Sequence, residues 1–449
     1  MPQSVNRAEE VLRGSVKSRR SSANTACQNR SSSRPTACDV ILPHHIMLEV
    51  LSFHDVWAII RARSVSRSFA SDAPGLVTEL VFSSRHKFPR ANQMHLFPSV
   101  TDIDLDGDKN LLQDAVVGLP WCTSLRRLRI SSNISQPTAL SSAIVASLCA
   151  IPVSELEIMR LQVEMPVGLA MPAWRTLQRL VLQNALIRDD SLTNLVKSLP
   201  RGPLPLLALD LSRNPFGKTI EAMQSFASAL ATFPELRSLE LTVDHIAADG
   251  AKLLLGALLD GACPKLGLLE MSLNFLDNGV IDFLAAGLAR GSHGLRSLHR
   301  LGIGGRFSAD ESVTTFESLS RSLLVSGLPL LSYLHVQGDL ETHDVGPLLR
   351  VFQRGVCPQV SVVKVERSTR FFPAEDADSM EDAVQSMLEL VTCFSVCRLR
   401  EVHVLGMNLG KGLEWAQEEE KTPFYLARNE SSFHRLVLAG AYRGVMIFV

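Results

Sequence analysis

The sequence predicts an α/β fold: a curved solenoid, or horseshoe, with short parallel strands on its concave side and helices on its convex side, preceded by a small helical module. Three observations predict it. A unit of the form apolar-x-x-apolar-x-apolar recurs thirteen times between Val77 and Leu438. Helix-like stretches fall between the copies. An asparagine or aspartate follows the last apolar residue of several copies by three positions.

Residues 1–39 are rich in Ser and Arg, with Arg19-Arg20 and the run Ser31-Ser32-Ser33-Arg34-Pro35. So few large apolar residues cannot offset the entropy of ordering, so the segment is expected to be disordered. An organelle transit peptide and a basic localisation signal are the functional alternatives. Glu9 and Glu10 count against the first, and the dispersed basic residues against the second.

Residues 40–75 change character. Leu42, Ile46, Val50 and Phe53 recur at helical spacing, as do Ala58, Ala62, Val65 and Phe69. Asp55 stands between the two runs as a candidate cap, and Pro74-Gly75 stops the pattern. A module this short holds little core alone and must lean on the array or on a partner.

The array occupies residues 76–449. Its copies are Val77/Leu80/Phe82, Val100/Ile103/Leu105, Leu125/Leu128/Ile130, Val153/Leu156/Ile158, Leu177/Leu180/Leu182, Leu206/Leu209/Leu211 and Leu236/Leu239/Leu241. They continue as Leu266/Leu269/Met271, Leu298/Leu301/Ile303, Leu331/Leu334/Val336, Val360/Val363/Val365, Leu399/Val402/Val404 and Phe433/Leu436/Leu438. The last two residues of each unit lie two apart, so both face one side of a strand. Stretches 219–232, 251–259 and 280–289 are the helices expected to cover that side. Stacked periods then bury one continuous core. Asn133, Asn214 and Asn274, with Asp108, Asp244 and Asp339 in other copies, are placed to bond turn backbone that a strand leaves unpaired.

On these residues the array resembles the leucine-rich-repeat family, in its ribonuclease-inhibitor-like class. LLALDLSRNPF (206–216) and LGLLEMSLNFL (266–276) are the best copies. Copies after about 345 are looser, and 371–382 (FFPAEDADSMED) reads as an acidic loop interrupting them. The module at 40–75 resembles an F-box: Leu42-Pro43 opens it, Leu51-Ser52-Phe53 ends its first helix, and Val65, Arg67 and Phe69 close it. His44-His45, His54 and Phe69 depart from the family pattern. The resemblance implies that Leu42, Pro43, Ile46, Val50, Leu51, Phe53, Ile59, Val65 and Phe69 dock on a Skp-type adaptor. It further implies that the array recognises a substrate, of unknown identity, for a cullin-based ubiquitin ligase. Two other readings stay open. The module could simply cap the exposed end of a repeat scaffold. Similar repeats also occur in activators of the Ran GTPase, which usually carry an acidic tail, whereas this chain closes on AYRGVMIFV.

Composition fits a binding role. The chain has 449 residues, 46% hydrophobic and 20% charged, with a net charge of −1. That supports a large core and lacks the basic footprint of a nucleic-acid binder. No apolar run reaches the length of about 18 residues that marks a membrane helix. There is no apolar h-region at the N-terminus, so no secretion signal is expected. The eight cysteines are scattered and read as reduced thiols of a cytoplasmic or nuclear protein.

No catalytic pattern emerges, so the chain is expected to be no enzyme and to need no cofactor or metal. A phosphate-binding loop and a nucleophile elbow are both missing. Gly302, Gly304 and Gly305 fall on a repeat strand and its turn, and read as weak local packing. Cys393 and Cys397 share a helical face without further ligands and read as buried apolar groups. His44 and His45 diverge by about 100° on a helix, so they do not share a ligand.

Charge on the concave face is the one binding signal. Asp210, Glu240 and Glu270 hold the same slot in successive copies, between the two paired apolar residues. This strip could receive a basic segment of a partner, or it could be ordinary solvated surface. Arg127 and Arg129 are expected to pair across strands with Glu155 and Glu157.

Overall fold

A computed structural model describes residues 78–83, 99–107, 109–132, 138–140, 142–163, 172–242, 245–272, 274–291, 293–305, 309–326, 328–338, 351, 357–367, 401–405 and 446–448. The segment 1–39, the segment 40–75 expected to form a helical module with its nine residues expected to dock on an adaptor, and the acidic stretch 371–382 lie outside these residues.

The described chain is α/β, dominated by one parallel sheet. Its strands are β1 (Glu79–Ser83), β2 (Asp102–Asp106), β3 (Arg127–Ser131), β5 (Glu155–Met159), β7 (Arg179–Gln183), β8 (Ala208–Asp210) and β9 (Ser238–Glu240). They are followed by β10 (Leu268–Met271), β11 (Arg300–Gly304), β12 (Tyr333–Gly338), β13 (Val362–Arg367), β14 (Glu401–Leu405) and β15 (Met446–Phe448). These thirteen strands are adjacent in chain order, an arrangement compatible with the predicted solenoid. A smaller parallel pair, β4 (Thr138–Leu140) and β6 (Leu161–Val163), forms a second sheet that the repeat pattern does not foresee.

Register keeps equivalent repeat positions side by side. Leu180 pairs with Leu209, Leu209 with Leu239, Leu239 with Leu269 and Leu269 with Leu301. Because strand side chains alternate, one face becomes a continuous apolar floor and the other carries the intervening polar residues. The helices between strands are α1 (Lys109–Gly118), α2 (Ser142–Cys149), α3 (Asp189–Lys197), α4 (Ile220–Ala229), α5 (Ala248–Leu259), α6 (Asn278–Ala289) and α7 (Ala309–Ser326). Met223, Phe226, Leu254, Leu255, Leu258, Ile281 and Leu284 join Leu209, Leu239 and Leu269 in one core. Expected helices at 219–232, 251–259 and 280–289 fall on α4 with its 3-10 extension Leu230–Thr232, on α5 and on α6.

Local chemistry sets the ends of these elements. The Asp277 side chain accepts the Val280 N–H at 3.1 Å and starts α6. Gly217, at φ +92°, turns the chain between β8 and α4, and a Cβ there would meet Ile246 Cα at 2.7 Å. Asp189, in the first turn of α3, reaches into this turn in the next copy. Its carboxylate accepts from Gly217 N–H at 2.5 Å and Thr219 N–H at 2.9 Å.

The conserved spacing of asparagine has a clear structural use. Asn214 is buried, and its Oδ1 accepts from Ala185 N–H at 2.9 Å and Ile187 N–H at 3.0 Å. Its Nδ2 donates to the carbonyls of Leu182 at 2.7 Å and Leu211 at 2.5 Å. Asn274 repeats this two copies later, bonding Ile246 N–H at 3.4 Å and the carbonyls of Leu241 and Met271 at 2.6 and 3.0 Å. Each amide therefore ties its own turn to the preceding one.

Among the described residues the strand paired with β14 is β15, Met446–Phe448. The expected copy at Phe433/Leu436/Leu438 lies outside the described residues.

Candidate functional site

The described helices pack on the apolar floor of the sheet, so the polar rows lie on the opposite face. Its middle row follows from the register: Val81, Asp104, Arg129, Glu157, Val181, Asp210, Glu240, Glu270, Gly302, His335, Lys364, His403 and Phe448. The predicted trio Asp210, Glu240 and Glu270 lies on this row on adjacent strands. Three different electrostatic settings divide it.

Over β2 to β7 the face neutralises itself. Glu157 is 7% exposed and sits among three guanidinium groups. Arg127 Nη2 donates to its Oε1 at 3.2 Å, Arg179 Nε lies 3.4 Å from the same oxygen, and Arg129 Nε lies 3.6 Å from Oε2. Arg127 also approaches Glu155 at 3.8 Å, and Arg129 approaches Asp104 at 3.8 Å. The expected pairing of Arg127 and Arg129 with Glu155 and Glu157 is thus present in the geometry, with Arg179 and Asp104 added. Burial, opposed by Arg129, raises the Asp104 carboxyl above its ordinary value.

Over β10 to β12 a compact polar cluster forms. Glu270 and His335 are 7% and 8% exposed, and Ser272 is buried beside them. Ser272 Oγ donates to Glu270 Oε1 and lies 3.2 Å from His335 Nδ1, which in turn is 3.4 Å from Glu270 Oε1. Arg300 Nε stands 3.8 Å from Glu270 Oε2, with its guanidinium 4.3 Å from the Tyr333 ring centroid. Burial works to raise the Glu270 carboxyl, but the bonds from His335 and Ser272 and the charges of His335 and Arg300 outweigh it and hold it low.

Glycine makes this cluster possible, which corrects the reading of weak packing. A Cβ on Gly302 would collide with the Glu270 carboxylate. A Cβ on Gly304 would meet Gln337 Cβ at 2.8 Å, and one on Gly305 would collide with the Leu276 carbonyl. The patch is crowded, and its missing side chains let Glu270 reach across β11 toward β12.

Between these zones, β8 and β9 are different again. Asp210 and Glu240 are direct cross-strand neighbours. Asp210 Oδ1 accepts from Ser212 N–H at 2.9 Å, and Glu240 Oε1 accepts from Ser238 Oγ at 3.2 Å. Burial and the neighbouring Asp210 charge raise the Glu240 carboxyl. The expected strip of three carboxylates is therefore two open ones, with Glu270 withdrawn into the cluster.

Sequence reasoning missed Ser272, Arg300 and His335. His335 and Lys364 stand in the same slot as Asp210, between Leu334/Val336 and Val363/Val365, and extending the register would have found them. The thiols of Cys122 and Cys263 are buried, which pushes them up to about 11 and about 12. Among the described residues no group of three or more His, Cys, Asp or Glu side chains could hold a metal ion, and no helix is long and apolar enough to cross a membrane.

No protein-family model matches the chain, and no curated protein matches its sequence. The fold and the open face define an α/β protein with a large parallel sheet, apolar and helix-covered on one side and charged on the other.

Proposed function

We propose that this chain is a leucine-rich-repeat horseshoe that holds a protein partner on the open face of its sheet, and that it is the substrate-recognition subunit of a Skp–cullin–F-box type ubiquitin ligase. The observation that carries the binding role is the two-sided sheet. Thirteen parallel strands lie side by side, the described helices pack on the apolar residues of one face, and the other face carries rows of charged side chains in register. A rigid, repeated surface of this kind recognises by the residues it displays and needs no reacting group of its own.

The ligase role rests on the F-box resemblance of residues 40–75, immediately before the array. Leu42, Pro43, Ile46, Val50, Leu51, Phe53, Ile59, Val65 and Phe69 would bury against the adaptor, and ubiquitin transfer would belong to other subunits. Co-purification of the full chain with a Skp-type adaptor tests it. A complex that is lost in Leu42→Ala/Pro43→Ala supports the reading. No complex with the intact, folded chain removes it and leaves the binding scaffold. Deleting 40–75 separates docking from capping: an array that stays folded but loses one partner supports docking, and an array that aggregates supports a cap.

A further inference from the structure

Every other acidic residue in the middle row of the open face has a cation from this chain. Asp104 has Arg129, Glu157 has Arg127, Arg129 and Arg179, and Glu270 has Arg300, all within 4.0 Å. Asp210 and Glu240 have none at that distance among the described residues, although they are direct neighbours on strands roughly 4.8 Å apart. The two arginines of the flanking row make their close contacts with other carboxylates, Arg179 with Glu157 and Arg300 with Glu270, and act on Glu240 only from further away.

The surroundings of the pair are small. In the row before it stand Ala208 and Ser238, which are partners in register. In the row after it stand Ser212 and Thr242, where the ladder continues through Leu211 N–H to Glu240 O at 3.0 Å and Arg213 N–H to Thr242 O at 2.8 Å. Longer side chains adjoin it on both sides, Arg179 on β7 beside Ala208 and Leu268 on β10 beside Ser238, with Arg300 one strand further on β11. The small side chains between them leave a shallow trough two strands wide, floored by two carboxylates and bordered by Arg179 and Leu268. Long cationic side chains fit such a trough, since their stems lie over small residues and their heads reach the acids. A negatively charged segment is repelled at the floor.

We infer that the partner segment held on the open face is extended and basic, with lysine or arginine side chains seated in the trough of β8 and β9 on Asp210 and Glu240. This rests on the open face being the docking surface. Alternate side chains of an extended segment are roughly 6.6 Å apart, close enough to the strand spacing for two cations to engage the two carboxylates. Binding supplies the counter-charge that the fold supplies elsewhere on this row.

The test uses the full chain and a short fluorescent peptide alternating lysine and serine, with its glutamate counterpart as control, followed by anisotropy at two salt concentrations. The lysine peptide is expected to bind and the glutamate peptide not to. Asp210→Asn/Glu240→Gln should weaken lysine-peptide binding about tenfold. Asp102→Asn/Glu155→Gln removes the same charge elsewhere on the face and should leave binding intact. Equal loss in both double variants, or loss in neither, overturns the inference. Retention of the partner that co-purifies with the full chain is followed in parallel, with Ala208→Trp filling the trough. Loss in both Ala208→Trp and Asp210→Asn/Glu240→Gln supports the inference. Loss in Ala208→Trp alone keeps the docking surface and overturns the basic segment. Retention in both variants overturns the docking surface and the inference with it.

Discussion

Asn214 shows how one side chain carries repeat structure. Its amide satisfies two N–H groups and two carbonyls that belong to two successive turns. Asn214→Ala strands these groups in the interior, so a loss of about 3 kcal/mol is expected in urea unfolding. Glu240 acts in the opposite sense. The folded state raises the Glu240 carboxyl, so folding favours its protonated form and the charged form costs stability. Glu240→Gln should therefore stabilise the protein at pH 7, by about 0.5 kcal/mol after solvent screening, and the gain should vanish as pH falls below the ordinary carboxylate range. Glu270 is held low, so its contribution is complete above its ordinary value and is lost as pH drops through the lowered one. Glu270→Gln should destabilise at pH 7 and converge with the parent chain in acid. Urea midpoints measured across pH separate the two behaviours. The position of Asn214 was legible in the sequence from its fixed offset. The pairing of Glu270 was not, because its partner His335 is two strands away and its reach depends on a glycine between them.

At the scale of elements, the strands were legible because each is a short alternating unit whose floor residues repeat. The two central apolar residues of twelve copies fall on or beside observed strands, and the helices α4, α5 and α6 fall where expected. The pair β4 and β6 escaped notice because both strands fall between copies of the unit, off the repeat spacing. Gly302 is the sharpest case. Lack of a side chain in β11 reads in sequence as a weak strand, while in space it leaves room for the Glu270 carboxylate. Gly302→Ala is expected to cost about 1–3 kcal/mol by overpacking. The double variant Gly302→Ala/Glu270→Ala should cost less than the two single changes added, since removing the carboxylate removes the collision. A double-mutant cycle in urea measures this directly.

For the molecule as a whole, the core is one apolar layer that runs from Leu80 to Val363 through the described strands and helices. Cys122, Cys263 and Cys357 lie in that layer far apart along the chain, and burial raises all three thiols. They should resist iodoacetamide at pH 8 in the folded protein and react when urea removes the circular dichroism signal, as peptide mass mapping would show. Function is less legible than fold at this scale, because a binding surface is set by which residues fill the open slots and not by the repeat that presents them. The account centres on one claim, that the open face of the sheet is where a partner is held. A photo-crosslinking residue placed at Ala208 on that face, and separately at the exposed Val117 on α1, tests it most directly in cells. The account expects a discrete adduct from position 208 and none from position 117. An adduct from position 117 alone would contradict it.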